Sequence, residues 1–468
     1  MGKVNWYDMR EFLDYLERQN DLLHIWEEVD PEWEVNGITR MGLQQFGPAI
    51  FFHRIRGANL PLVTNLLATD RRFLWALGLK EWGQFNEWWH KRTETLIPPK
   101  LISKAPCQEE TISGEEIDLN RICNVKWHQY DGGPFPGTLS VSVTRDPDTG
   151  LLNAGIYRMG TLEKNLLGWG APEYTHGRQH YIKYERMGKP MPMAVITGYD
   201  PIVFIVSCTR TPPGVDEFHL AGALRGEPLE MVKCKTIDIE VPATSEVVFE
   251  GVVEPDVRML EGGFGEYTGY YGEARSNPVF NIKMITHRRN PIHLGAREQW
   301  YPSDSAVVVG KASQAEAYKT LKRLVPGLLD LRCDVTYEAI AKIDKLFKGH
   351  PQQVMDAIWG ATYARYKHVI VVDKDIDIWD YNSVHWALST RVKADRDVYI
   401  LPRRAGQWLD PASPLREKGW QAVLGIDATM PWEDYEFWGE KPPRTVDDPE
   451  IVAKTREKWG DKLKGQKK

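Results

Sequence analysis

Residues 137–144 alternate without a break: Leu139, Val141 and Val143 fall on one side of an extended chain, Ser140, Ser142 and Thr144 on the other. A period of two belongs to a strand with one buried face. Asp146-Pro147-Asp148-Thr149-Gly150 supplies a turn, and Leu151–Arg158 returns as the second strand of a hairpin. Further strands fit at 192–197, 202–207, 236–241, 246–253 and 279–286. Strands so close together, with Gly/Pro turns between them, predict a barrel or sandwich running to about residue 300.

The flanks read differently. Met9, Phe12, Leu13 and Leu16 form one helical stripe behind Asp8, with Glu11 three residues beyond that cap. Leu22–Ile25, Ala49–Phe52 and Leu60–Leu66 read as short strands, so an α/β domain is expected over 1–110. After the central domain, 111–305, Ser313-Gln314-Ala315-Glu316 reads as a capping box opening a helix that Pro326 stops. A helix over 351–366, a buried strand at His368–Val372 and a helix at 383–389 make 306–468 a second α/β domain. Its last 25 residues are polar and predict a peripheral helix with a loose Lys-rich end. A chain of 468 residues suits three such domains.

Composition narrows the function classes. Apolar residues at 42% and charged residues at 26% exclude a disordered or fibrous chain. A net charge of −6 gives nucleic acid and anionic membranes no basic surface. No run of 18 uncharged apolar residues exists, and Met1–Trp6 has no signal-peptide character. Gly2 is followed at position 6 by Trp, so the myristoylation pattern fails. Cys107, Cys123, Cys208, Cys234 and Cys333 lack metal spacing and read as reduced thiols of a cytoplasmic protein. The 18 tryptophans, seven of them before residue 90, read mainly as domain and subunit packing.

Three constellations can carry chemistry. In Leu260–Tyr271, Gly262, Gly263 and Gly265 are bracketed by Glu261 and Glu266. Such a loop can bring both carboxyls to one dry cavity, where one stays protonated as a general acid; it can equally be a hairpin with solvated glutamates. In Asn153–Arg158, the guanidinium of Arg158 suits a substrate carboxylate or an ordinary salt bridge. A separation of five places Asn153 and Arg158 on opposite faces of a regular strand. Asn153, His180 and Glu217 would together make a mixed N/O set suited to Mn²⁺ or Mg²⁺ on a phosphate, with His176 a rival to His180, or they are unrelated surface residues. Asp373, Asp375 and Asp377 imitate the start of a calcium loop, but Ile378 and Val384 stand where glycine and glutamate are required. There is no P-loop and no G-x-G-x-x-G after a strand.

Taken together, the sequence resembles the UbiD family of prenylated-FMN-dependent decarboxylases. The likeness spans almost the whole chain, from Val29-Asp30-Pro31 through Asn153–Arg158, Gln179-His180, Pro212–Glu217 and Val241–Glu246 to the Glu261–Glu266 loop. It continues in Ser389-Thr390-Arg391, Leu409–Ser413 and Gly425–Thr429. The resemblance implies a central split β-barrel of flavin-reductase type that binds prenylated FMN, and a C-terminal α/β oligomerisation domain. Arg158, Glu261 and Glu266 match the family's catalytic set. Asn153, His180 and Glu217 match the ligands of the Mn²⁺ or Mg²⁺ that ties the flavin phosphate. Ile156, Arg158, Gln179, Ser207 and Cys208 fall where the cofactor is lined, with K⁺ expected near Ser207 and Glu217.

The expected activity is reversible decarboxylation of an aromatic or heteroaromatic acid, with Arg158 on the carboxylate and Glu266 as proton donor. Alternatives are an acyclic α,β-unsaturated acid, a split-barrel flavin oxidoreductase, or a non-catalytic carboxylase subunit. CO₂ and a flavin prenyltransferase are the other implied partners, and a homo-oligomer (dimer or hexamer) the implied assembly. The family's phosphate-touching lysine has no clear counterpart near Ala361. Arg210 stands where a small or apolar residue is common, and suits either the phosphate or a second polar group on the substrate. Trp169, Trp300 and Trp408 neighbour the segments expected to face the flavin.

Overall fold

The computed structural model describes residues 4–83, 85–122, 124–212, 214–334, 337–362, 365–413, 419–431 and 448–464. Cys123 and the 465–468 end lie outside them. The first helix, Met9–Arg18, starts as its sequence demands. Asp8 accepts a hydrogen bond from the Glu11 N–H at 2.9 Å, and Met9, Phe12, Leu13 and Leu16 are buried. Behind it lies a sheet in the order Leu22–Val29, Ala49–Ile55, Leu62–Thr64 and His293–Leu294. Its last strand comes from much later in the chain, which ties this layer to the centre.

The hairpin is present, as Val141–Arg145 paired antiparallel with Leu152–Ile156. It forms one end of the largest sheet. The order continues through Met191–Thr197, Val247–Glu261, Arg275–His287, Leu166–Gly168 and Thr161–Glu163, with Glu110–Ser113 on the far half of Arg275–His287. Among the described residues no ladder joins the two ends of this path. The register of Val247–Glu261 shifts twice against its partner, after Glu250 and after Val253. Such irregularities bend a strand, and this one delivers Glu261 at its tip. Helix His176–Arg186 covers one face of the hairpin end, and helices Pro201–Ser207 and Glu217–Arg225 pack nearby.

Three expectations are corrected, the first being the strand read at 236–241, of which only Glu240–Pro242 is extended in the sheet. Residues 202–207 are helical, not a strand: Asp200 caps Pro201–Ser207, and all seven residues are buried. A segment apolar all round carries no periodicity to separate the two states. The helix expected to open at Ser313 begins at Asp304 and runs to Leu324, capped by Ser303. Ser313 and Glu316 are interior, and Glu316 instead accepts the Trp89 indole N–H at 2.7 Å.

The final sheet runs Leu328–Asp334, Glu338–Ile343, His368–Asp373, Trp420–Ala428 and Val398–Ala405. Asp373 and Asp375, the false calcium ligands, both pair with Arg391, at 2.8 and 2.6 Å. Helix Pro449–Lys464 stands at the C-terminal end. Among the described residues no helix is long and apolar enough to cross a membrane. Of the described cysteines, Cys107, Cys234 and Cys333 are buried and Cys208 is half-buried.

Candidate active site

The glycine-rich loop closes as a small hairpin, Phe264–Gly265 against Tyr271–Gly272. Gly269, at φ 84°, makes the turn, a left-handed conformation that favours glycine. The loop is pinned from the side by Asp131, whose Oδ1 accepts the Gly265 N–H at 2.9 Å, and by the Gly132 N–H donating to the Gly263 carbonyl at 2.8 Å. Gly132 and Gly262 meet backbone to backbone, with no room for a Cβ on either.

This brings both glutamates to one guanidinium. Arg158 donates from Nη1 to Glu266 Oε1 at 2.8 Å, from Nε to Glu261 Oε2 at 3.3 Å, and from Nη2 to the Glu273 carbonyl at 3.1 Å. Glu261 is further held by the Gly160 N–H at 2.8 Å and the Asn277 amide at 2.6 Å, so it is fixed from three sides. Burial pushes the Glu266 carboxyl above its usual range, with neighbouring Glu261 and Asp131 adding to the shift and Arg158 opposing it. Glu261 is raised by burial as well, against Arg158, the Gly160 N–H and Asn277. Two acids pushed upward around one cation hold a proton more readily than ordinary carboxylates do.

Room for this set is made by glycines that the sequence reading did not single out. A Cβ on Gly168 would stand 2.9 Å from Glu261 Oε1, and one on Gly272 would stand 2.9 Å from both Arg158 Nη1 and Glu266 Oε1. Gly272→Ala is therefore expected to lower kcat about tenfold or more by displacing the pair. The fold should survive, because Gly272 needs no positive φ. Steady-state kinetics beside a thermal melt checks this, and unchanged kcat would refute the steric role.

A second cluster lies at the free edge of Leu152–Ile156. There the Ala154 N–H has no strand to pair with, and donates to Glu217 Oε2 at 2.9 Å. The other oxygen accepts from Thr211 at 2.6 Å. Glu217 is buried, no Lys or Arg pairs with it among the described residues, and burial lifts its carboxyl to about 8. Beside it, Asn153 keeps a buried Nδ2 with no partner, and Ser207 a buried Oγ with none. Unpaired polar atoms around a buried acid fit a bound cation and phosphate. Asn153 and Glu217 thus come together.

The two histidines differ. His180 Nδ1 sits 3.0 Å from Thr144 Oγ1 and its Nε2 faces Asp146 at 3.9 Å, so both ring nitrogens face protein partners. Burial lowers its pKa to about 4. The His176 ring makes no hydrogen bond among the described residues, and burial lowers its proton affinity. It opens the helix turn that abuts Asn153: a Cβ on Gly177 would lie 3.3 Å from Asn153 Nδ2. Gln179 is exposed and donates to the Glu173 carbonyl at 2.5 Å, away from this cluster. Ile156 and Cys208 are half-buried.

Other residues join the site without having signalled themselves. Glu298 is buried, with Oε1 on Ser305 at 2.6 Å and Oε2 unpartnered, and its carboxyl is raised to about 8 by burial, with Asp304 and Glu266 adding to the shift. Among the tryptophans, Trp6, Trp88 and Trp89 are buried as packing predicts, whereas Trp26 and Trp33 are exposed. Trp169 is core: it is fully buried, donates to Ser142 Oγ at 3.2 Å, and meets Tyr157 and Tyr181 edge-on. Trp300 and Trp408 remain exposed.

Comparison with known proteins places this arrangement. Three family models match the chain. The N-terminal domain of 3-octaprenyl-4-hydroxybenzoate carboxy-lyase matches residues 13–91, its Rift-related domain 100–297 and its C-terminal domain 306–428. The chain belongs to the UbiD family. The UbiD-class enzyme HmfF from Pelotomaculum thermopropionicum, solved with FMN, is 34% identical with a TM-score of 0.85, over 95% of this chain and 98% of that one. An evolved dimeric form of HmfF, solved with prFMN, is 31% identical with a TM-score of 0.81, over 96% and 98%. Vanillic acid decarboxylase of Sedimentibacter hydroxybenzoicus, in its closed form, is 30% identical with a TM-score of 0.86, over 98% of each chain. The mixed α/β multidomain architecture is thus that of UbiD-class enzymes.

Proposed function

We propose that the protein is a prenylated-FMN-dependent decarboxylase of an aromatic or heteroaromatic carboxylic acid. The observation that carries this is one half-buried arginine shared by two carboxyls whose proton affinities are both raised. Losing CO₂ from an sp² carbon demands that the developing charge be delocalised and that a proton be supplied afterwards. A prenylated flavin held by the central domain, read as a split barrel over 111–305, would supply the electrophilic carbon that delocalises the charge.

The remaining tasks fall to the chain. Arg158 grips the substrate carboxylate with its planar fork. It is engaged with Glu266 in this structure, so an incoming carboxylate competes for Nη1. Protonation of Glu266, which burial favours, frees that donor and loads the acid in one event. Glu266 then delivers its proton to the carbon that CO₂ has left. Glu261, fixed by Gly160 and Asn277, keeps Arg158 oriented. Because one acid serves in both directions, high CO₂ drives carboxylation.

Asn153, Glu217 and an imidazole would hold Mn²⁺ or Mg²⁺ against the flavin phosphate, with K⁺ near Ser207. His176 fits that imidazole better than His180, whose two nitrogens already face Thr144 and Asp146. His176→Ala is expected to lose flavin and metal on dialysis, while His180→Ala keeps both; flavin absorbance and metal content read the difference, and the reverse pattern restores His180. A flavin prenyltransferase supplies the cofactor, the 306–468 region joins copies into an oligomer, and the cytoplasm is the proposed location. The test of the whole reading is protein co-expressed with a flavin prenyltransferase and offered aromatic acids. Absence of both CO₂ release and exchange of product C–H with solvent deuterium would overturn it.

A further inference from the structure

A second concentration of charge lies next to the Arg158 set and takes no part in it. Arg365 is 5% exposed, and its Nε and Nη2 are buried without a hydrogen-bond partner. Arg210 is half-buried. Its Nη2 reaches only Gln407 Oε1, at a long 3.4 Å, and its guanidinium lies 5.5 Å from the Tyr174 ring. Among the described residues no carboxylate pairs with either arginine. The two are close enough that Arg365 lowers the proton affinity of Arg210, beyond the effect of burial. Like charges sharing a buried space without a counter-ion are costly, and a fold keeps them there when a ligand supplies the opposite charge.

Phenols complete the wall. Tyr174, Tyr267, Tyr337 and Tyr366 all act on Arg365, and the Tyr267 and Tyr337 hydroxyls lie 3.4 Å apart. This wall adjoins the catalytic loop: Tyr267 follows Glu266 in the chain, and the Tyr337 it meets accepts the His368 N–H at 3.1 Å through its carbonyl, three residues beyond Arg365. Tyr174 responds to Glu266 as well as to both arginines, and Cys208 responds to both Glu298 and Arg365. Two guanidinium forks with phenol O–H donors match a planar oxyanion held from several sides.

We propose that Arg210 and Arg365 form a second anion subsite of the substrate cavity, so that the preferred acid carries another carboxylate besides the one Arg158 takes. The proposal rests on the decarboxylase reading for what occupies the Arg158 end. The flavin phosphate presents related oxyanion chemistry, but the Asn153–Glu217–Ser207 cluster already offers unpaired atoms for it. Arg210 and Arg365 therefore select substrate.

The experiment titrates FMN-loaded protein with terephthalate, isophthalate and naphthalene-2,6-dicarboxylate, and with benzoate and 2-naphthoate as matching monoacids. At least one diacid is expected to bind about tenfold tighter than its monoacid. Arg210→Gln, or Arg365→Lys where a milder change is needed to keep the fold, is expected to erase most of that preference. No diacid preference in the unaltered protein overturns the proposal. So does Arg210→Gln protein that keeps the preference while its FMN affinity, read by flavin fluorescence, drops about tenfold; that result assigns the arginines to the phosphate. Failure of the decarboxylase reading looks different. Protein loaded with prenylated FMN then releases no CO₂ from any of the acids, while the diacid preference in binding persists.

Discussion

Glu266→Gln is expected to retain flavin and lose about a hundred- to ten-thousandfold in turnover, the usual span for removing a positioned general acid. The amide is isosteric, and its oxygen can still accept from Arg158 Nη1, which donates to Oε1 at 2.8 Å. Fold and arginine orientation should therefore survive, and the loss reports on the proton alone. Exchange of product C–H with solvent deuterium should fall in parallel, because exchange needs the same donor. The pH profile supplies an independent reading. Burial raises the Glu266 carboxyl, so its acid form persists above the ordinary carboxylate range and is lost as pH climbs through the raised value. Activity of the unaltered enzyme should decline on that alkaline limb, and the residual activity of Glu266→Gln should lack it. Undiminished turnover, or an unchanged limb, would remove Glu266 from the role of donor.

What was legible in the sequence follows from where the information is local. The hairpin at 137–158 announced itself because one face is apolar and the other polar, and the Met9–Leu16 helix because its stripe and cap coincide. Pro201–Ser207 did not, because every side chain is buried and periodicity vanishes with it. The start of Asp304–Leu324 was misplaced because Ser313 and Glu316 imitate a cap, while the true cap, Ser303, precedes a largely buried turn. Arg158, Glu261 and Glu266 were visible from motif and resemblance. Their supports, Asn277 and Gly272, were not: each matters only through a contact made across sheet strands or a closed loop. His176 and His180 lie one helical turn apart and are equivalent in spacing. The partners of each ring, absent from any sequence pattern, are what separates them. Arg365 drew no notice because its meaning lies in two buried nitrogens that find no partner among the described residues.

Arg158→Met is expected to leave no measurable decarboxylation and to destabilise the fold by about 3–5 kcal/mol at neutral pH, the usual consequence of removing one partner from a buried ion pair. The substitution keeps much of the side chain's apolar volume, so the loss is electrostatic. Glu261 and Glu266 would face each other without the cation that bonds both. Burial already raises both carboxyls against the opposition of Arg158, and removing that opposition raises them further. The sign follows: folded carboxyls with raised pKa values bind more protons than unfolded ones, so stability falls as pH rises through that window. Thermal melts of Arg158→Met should therefore approach those of the unaltered protein toward acid pH and diverge above it. Adding Glu261→Gln to Arg158→Met should recover much of the stability and none of the activity, since it relieves the repulsion without replacing the guanidinium. Were the double variant no more stable than the single one, packing would be the cause, and the pair of raised carboxyls would not depend on Arg158.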